Sequence, residues 1–253
     1  MTVDRALDLR SARRRLFTDA LGIATSAGAF GVVFGLTARQ AGYSLPEAIA
    51  MSAIVFGGAS QFAAVGLVAS GTPWAAIVLL TALLNARHLL YSASLAPWLT
   101  AVPRAQKAMM AHLLTDEAFA LSLSHFRRLG RLDVAGYWIA AIGATFIPWN
   151  VATIVGFVGG QLIDDPARYG IDVVFPAAMG GLAVGLVSGR REILAVAVAI
   201  ILSIGVAVAI DPRVAVVVGG LLAPVAGLAL RPLDKEADGP DDDPAATTAD
   251  GLP

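Results

Sequence analysis

Residues 74–96 read "WAAIVLLTALLNARHLLYSASLA", and the reading of this stretch decides the fold. At roughly 1.5 Å per residue it forms a helix of about 35 Å, enough to cross a hydrocarbon layer of about 30 Å. Its flanks are apolar, yet Asn85, Arg87 and His88 fall at its centre. A charged side chain at that depth costs about 2.5–3.5 kcal/mol on insertion scales, so it needs a partner or water. On a helical wheel Thr81, Asn85, His88 and Ser92 share one face, with Arg87, Tyr91 and Ser94 beside them. The stretch is therefore a sided membrane helix, polar inward and apolar outward.

The same pattern recurs along the chain. Hydrophobic residues make up 57% of it and charged residues 15%, with mean hydropathy +0.73; a soluble domain carries about a quarter charged residues. Short alternating segments of the transmembrane-barrel kind are absent from the sequence. These features predict an all-α, polytopic helical membrane protein. Eight spans are expected, at about 17–38, 46–70, 74–96, 105–126, 135–161, 172–189, 192–210 and 213–230. "SLPE" (44–47) is a capping-box start with Pro46 in the first turn. "TPW" (72–74) repeats the cap-then-proline order, and Asp133 in "LDVAG" is a cap for the fifth span.

Charge sets the orientation. Arg5, Arg10 and Arg13–Arg15 precede the first span; Arg127, Arg128 and Arg131 follow the fourth; Arg190 and Arg191 follow the sixth; Arg231 and Lys235 follow the eighth. With eight spans these clusters share one side, which the positive-inside rule makes cytoplasmic, together with both termini. The chain is expected to divide into a basic N-terminus (1–16), a transmembrane transporter domain (17–230) and an acidic tail (231–253). The tail carries seven acids against two bases, a net of −5, which leaves +4 for residues 1–230. Its Pro, Gly, Ala and Asp content predicts disorder. No cleavable signal peptide is expected, and without cysteine neither disulfide nor thiolate chemistry is available.

Four consecutive spans place their least lipid-compatible residues near one depth. The second carries "FGGASQF" (56–62), the third Asn85, Arg87 and His88, the fourth Asp116 and Glu117, and the fifth Pro148 with Asn150. Paired glycines predict a helix break at Gly57–Gly58, and "IPWN" (147–150) predicts a kink. A broken helix offers free amides to a carboxylate. The candidate substrate-binding residues are Phe56, Gly57, Gly58, Ser60, Gln61, Asn85, His88 and Asn150. Arg87 with Asp116 or Glu117 forms an ion pair or handles protons, Asp116 being placed on one face with His112. The plainer reading of the pair is a structural clasp between helices, and that of His88 is a bond to a backbone carbonyl. His112, His125 and Asp19 are read as structural or solvated, and the glycine pairs Gly31/Gly35, Gly181/Gly185 and Gly185/Gly189 as close helix contacts. A faint likeness between 28–39 and 179–190 leaves an inverted repeat open.

Intramembrane enzymes fit poorly. "GGAS" is not a Gly-x-Ser-Gly nucleophile motif, and the histidines lack the i, i+4 spacing of a zinc site. No catalytic set, metal or cofactor is expected, and no nucleic-acid partner. A channel and a non-transporting structural subunit stay open beside a transporter.

The chain resembles the large subunit of the AzlC-type branched-chain amino-acid permeases. The likeness rests on "FGGASQFAAVGL" (56–67), "LLNARHLLYSASLAPWL" (83–99), "LLTDEAFAL" (113–121) and "YGIDVVFPAA" (169–178). The resemblance implies export of branched-chain amino acids (valine, leucine and isoleucine, sometimes methionine) across a bacterial cytoplasmic membrane. It also implies a small AzlD-type membrane subunit as partner. From the residues themselves come the polar midplane site and an expected coupling to protons through Asp116 or Glu117.

Overall fold

The computed structural model describes residues 2–162 and 189–211, with isolated positions between 177 and 187 and between 214 and 225. Every described element is helical. Two units are resolved, Met1–Leu182 and Ala183–Pro253.

In the first unit, α1 (Thr2–Gln40) is followed by α2 (Leu45–Val55), whose second half, Met51–Val55, winds as a π-helix. After the break at Phe56–Gly58 come α3 (Ala59–Ala69), α4 (Trp74–Asn85) and α5 (Arg87–Leu95). Next are α6 (Arg104–His112), α7 (Asp116–Leu129) and the long α8 (Val134–Gly159). Within α8 the eight residues Ile139–Phe146 are π-helical, ending two residues before Pro148. Among the described residues, three helical stretches are long and apolar enough to cross a membrane: Leu9–Gln40, Trp74–Leu95 (α4 continued by α5) and Val134–Gly159.

The starts follow local chemistry. Ser44 precedes α2 as expected, and Glu47 Oε2 accepts from both the Ser44 amide and its hydroxyl at 2.7 Å. At the next start the expectation needs correcting. Pro73 itself holds the N-cap position of α4, and the Thr72 hydroxyl instead pairs with Ser70 Oγ at 3.0 Å. Gly130, at φ +63, closes α7 in the left-handed region that other residues avoid.

The fourth expected span also differs. Residues 105–126 are not one helix: α6 ends at His112, and Thr115 opens α7 as its N-cap, its hydroxyl accepting from the Ala118 amide at 3.2 Å. Thr followed by Asp and Glu is a strong helix start, because an acceptor and two negative charges meet orphan amides there. That local signal overrode the hydrophobic continuity of 105–126. His112 and Asp116 therefore do not share a helical face, and His112 Nε2 instead lies 3.0 Å from the Ala53 carbonyl.

α1 packs along the last half of α8. At Gly31 a Cβ would collide with Trp149 O and Ala152, and at Gly35 with Thr153 O; Gly156 of α8 meets the Val32 carbonyl. The crossing is closer than any side chain permits, as the Gly31/Gly35 spacing predicts. Beside it lies the main core of Phe34, Phe62, Met110, Phe126, Tyr137 and Phe157, all buried.

In the second unit, α9 (Arg190–Ala209) occupies the seventh expected span, and Ser203 Oγ bonds the Ala215 carbonyl at 3.4 Å. Spans 172–189 and 213–230 fall largely outside the described residues, and so does Gly185, the member common to the pairs Gly181/Gly185 and Gly185/Gly189. So do the motif at 169–178, except Ala177, and the tail at 231–253.

Candidate functional site

Three interruptions of helix meet at one place. The first is Phe56–Gly58. Phe56 sits in the left-handed region at φ +39, a strained setting for a bulky side chain, and Gly58 follows at φ +50. The break is held from behind by Gln61. Its Oε1 accepts from the Gly58 amide at 3.2 Å, and its Nε2 donates to Ser52 Oγ, which pairs with Thr153 Oγ1 at 2.9 Å. Ser52, Gln61 and Thr153 are all fully buried. Among the described residues, the amides of Gly57 and Ala59 find no backbone acceptor, so the start of α3 presents free donors.

The second interruption is Ala86, between α4 and α5. There the Leu89 amide turns to Ala86 O, and His88 Nδ1 lies 2.9 Å from the Asn85 carbonyl left behind. The plainer reading of His88 is thus realised, although its ring also borders the cavity described below. The third is Leu113–Thr115, which delivers Asp116 and Glu117 on the first turn of α7.

A cavity of about 120 Å³ lies where these ends converge. One water needs roughly 10–15 Å³ on the same measure, so there is room for a small solute. Arg87, His88, Asp116 and Glu117 form its ionisable part; Phe56, Gly57, Gly58 and Ala59 supply the break. Phe30, Phe62 and Trp149 supply an aromatic part, with Phe62 edge-on to both Phe30 and Trp149 at 6.5 and 6.0 Å. Arg87 pairs with Asp116 at 3.1 Å, joining α5 to α7. Tyr91 stacks on Phe119 with ring centres 4.5 Å apart, which fixes the same two helices one turn on. Arg87 Nε and Asp116 Oδ1 are buried with no hydrogen-bond partner; the pair therefore keeps bonding capacity in reserve.

Of the residues singled out in the sequence, Phe56, Gly57, Gly58, His88, Arg87, Asp116 and Glu117 border the cavity. Ser60, Gln61, Asn85 and Asn150 stand behind its wall. Ser60 is buried close to Gly57, Asn85 Oδ1 faces the same glycine, and Asn150 Nδ2 donates to the Phe146 carbonyl at 2.9 Å. These four hold or abut the framework beside the cavity lining.

Sequence reasoning passed over Trp149, Thr145 and the α1 face of Ile23, Ser26, Ala27 and Phe30, all of which line the cavity. The 23–26/27–30 spacing is helical and was readable as a face, but nothing in it names the neighbour it meets. Trp149 and Asn150 are about 100° apart on α8, so only one of the two faces the cavity.

A second cluster of charges joins α1 to the start of α8. Arg13 donates two hydrogen bonds to Asp133, from Nε at 2.8 Å and from the terminal nitrogen at 2.6 Å. Asp133 Oδ2 is also 2.9 Å from Nε2 of the fully buried His125. The Arg13 guanidinium, aided by the His125 contact and opposed by burial, holds the Asp133 carboxyl well below the usual carboxylate range. Nearby, Arg128 pairs with Asp19 at 3.1 Å. Asp19 is thus neither merely solvated nor a cap. No group of residues suited to holding a metal occurs among the described residues.

Comparison with known proteins agrees with a membrane protein. The family described as "AzlC protein" matches residues 22–163. The inner membrane protein YgaZ of Escherichia coli (strain K12) is 32% identical over 147 residues, 56% of this chain and 59% of YgaZ. A membrane protein of Helicobacter pylori (strain J99) is 34% identical over 91 residues, 36% of this chain and 40% of its own. One from Archaeoglobus fulgidus is 29% identical over 171 residues, 64% of this chain and 74% of its own. The matched region thus spans about three fifths of YgaZ and two fifths of the Helicobacter protein. No solved structure matches. With the family match covering more than half of the sequence, the chain belongs to the AzlC family of membrane proteins.

Proposed function

We propose that this chain is the large permease subunit of a transporter that exports branched-chain amino acids, and methionine, across the bacterial cytoplasmic membrane. It acts with a small AzlD-type subunit and is driven by protons. The substrate class and the partner come from the family resemblance. The observation that carries the transport reading is the convergence of three helix interruptions on one cavity, ionisable in one part and aromatic in another.

An amino acid fits this arrangement by its three parts. Its carboxylate meets the free amides and positive dipole end of α3, with Arg87 in reach. Its branched apolar side chain lies against Phe30, Phe62 and Trp149. Its ammonium faces Asp116 and Glu117. A proton and the ammonium then compete for the same carboxylates. Mutually exclusive occupancy is what an exchanger requires, since inward protonation displaces the amino acid that has been carried outward.

Reconstitution of the chain alone and with the small subunit, followed by counterflow of labelled valine, leucine, methionine and alanine, tests the proposal. Saturable exchange with preference for the branched substrates is expected. Flux that does not saturate makes the protein a channel, and no flux in any combination makes it a structural subunit.

A further inference from the structure

We propose that the cleft between α1 and α7 is the route from the central cavity to the cytoplasm, and that the Asp19–Arg128 ion pair is the gate across it. The inference rests on the transport reading above. Ile23, Asp116 and Glu117 border both the cavity and this cleft, which continues over Ala120 and Ser124 to Asp19 and Arg128. On α7 the residues Asp116, Ala120, Ser124 and Arg128 recur every four positions and so form one stripe. At roughly 1.5 Å per residue that stripe runs about 18 Å, more than half of a hydrocarbon layer of about 30 Å. It ends at Arg127 and Arg128, in the basic cluster that the positive-inside rule places in the cytoplasm. A stripe bounded by Asp19, Asp116, Glu117 and Arg128 is too costly to turn toward lipid, so it faces a path with charged groups at both ends and a largely apolar wall between them.

The contacts on either side of the path are unequal in the way a gate needs. The anchor is the Arg13–Asp133–His125 cluster, in which a buried carboxylate takes two bonds from arginine and one contact from a buried histidine. Breaking it would strand a buried charge. The Asp19–Arg128 contact is a single bond between half-exposed groups, and such pairs hold only weakly. Arg128 also has a second acceptor on its own helix, Ser124 Oγ at 2.9 Å, where it stays docked once Asp19 swings away. α1 is thus free to part from α7 at Asp19 while it remains fixed at Arg13.

The chain has no cysteine, so one introduced thiol reports alone. Ile23→Cys lies one helical turn inside the gate. Its reaction with a membrane-impermeant thiol reagent is followed from the cytoplasmic face of inside-out vesicles carrying the full-length chain. Asp19→Asn or Arg128→Gln is expected to raise the rate by up to about fivefold, the shift that loss of an exposed ion pair permits. The exchanged pair Asp19→Arg with Arg128→Asp returns it toward the starting rate. A rate that neither single variant changes, or a thiol that reacts only from the outer face, overturns the gate. Counterflow on the same vesicles separates the two ideas. Transport with an insensitive thiol removes the gate and leaves the proposed function, whereas gated labelling without transport keeps the gate and removes the function.

Discussion

Arg87 and Asp116 come from helices that sequence distance alone does not join, yet their side chains meet at 3.1 Å beside a cavity. A hydrogen bond to a charged group, as Asp116 would make with a substrate ammonium, contributes about 1.5–3 kcal/mol, which corresponds to a ten- to hundredfold effect on a rate or affinity. Asp116→Asn keeps the shape and removes the charge, so gradient-driven amino-acid efflux should fall at least about tenfold at unchanged expression. Undiminished efflux would take Asp116 out of the coupling step. Asp133 makes a different prediction, one of stability. Its folded-state pKa is depressed, so its contribution is complete above the unfolded value of about 4 and fades as pH falls through the folded value. Asp133→Asn should cost roughly 1.5 kcal/mol near pH 7, the lower end for charge-assisted bonds because Arg13 is partly in solvent. In thermal unfolding of detergent-solubilised protein, the gap between wild type and variant should narrow below about pH 4.

At the scale of elements, interruption and contact have separate causes. The Phe56–Gly58 break was legible, because adjacent glycines weaken a helix and the polar "ASQ" that follows does not suit lipid. The break before Asp116 was equally present in the letters as Thr-Asp-Glu, but the hydrophobic pattern of 105–126 hid it. The α1–α8 crossing was half legible: Gly31 and Gly35 announce a close neighbour, and only the fold says that it is the Trp149–Phe157 turn pair. Substitution separates these roles. Gly35→Ala drives a Cβ into the Thr153 carbonyl and should destabilise by about 1–3 kcal/mol, the usual cost of overpacking. Gly28, on the same helix, has open space where a Cβ would go, so Gly28→Ala should be neutral or gain up to about 1 kcal/mol of helix propensity. Equal melting temperatures for the two variants would refute the tight crossing.

At the scale of the whole molecule, the first unit has a polar centre and a basic end. The beginning of α1, the end of α7 and the start of α8 are tied together by Arg13–Asp133 and Arg128–Asp19, so the first and second arginine clusters of the sequence share an end of the first unit. Eight spans, the number expected from the sequence, would put both termini in the cytoplasm. A reporter that fluoresces only in the cytoplasm and one active only outside it, each fused in turn to the C-terminus, read this directly. Cytoplasmic fluorescence is expected; activity outside would mean an odd number of crossings and a revised topology.

Composition, the lengths of apolar runs and the placement of arginine were enough by themselves to specify a helical membrane protein, because lipid leaves the backbone few alternatives. The same letters named most of the cavity's ionisable wall, since a charge has no inexpensive place in hydrocarbon. Only the tertiary structure decided which polar residues border the cavity and which brace the frame. Gln61 and Ser60 are polar letters like Arg87 and His88, but the first two are fully buried behind the Gly57–Gly58 break and the other two border the cavity. The partners of Asp133 and Asp19, and the aromatic side of the cavity, likewise depended on which helices became neighbours. That choice is made by packing between segments distant in the chain, which no local pattern encodes.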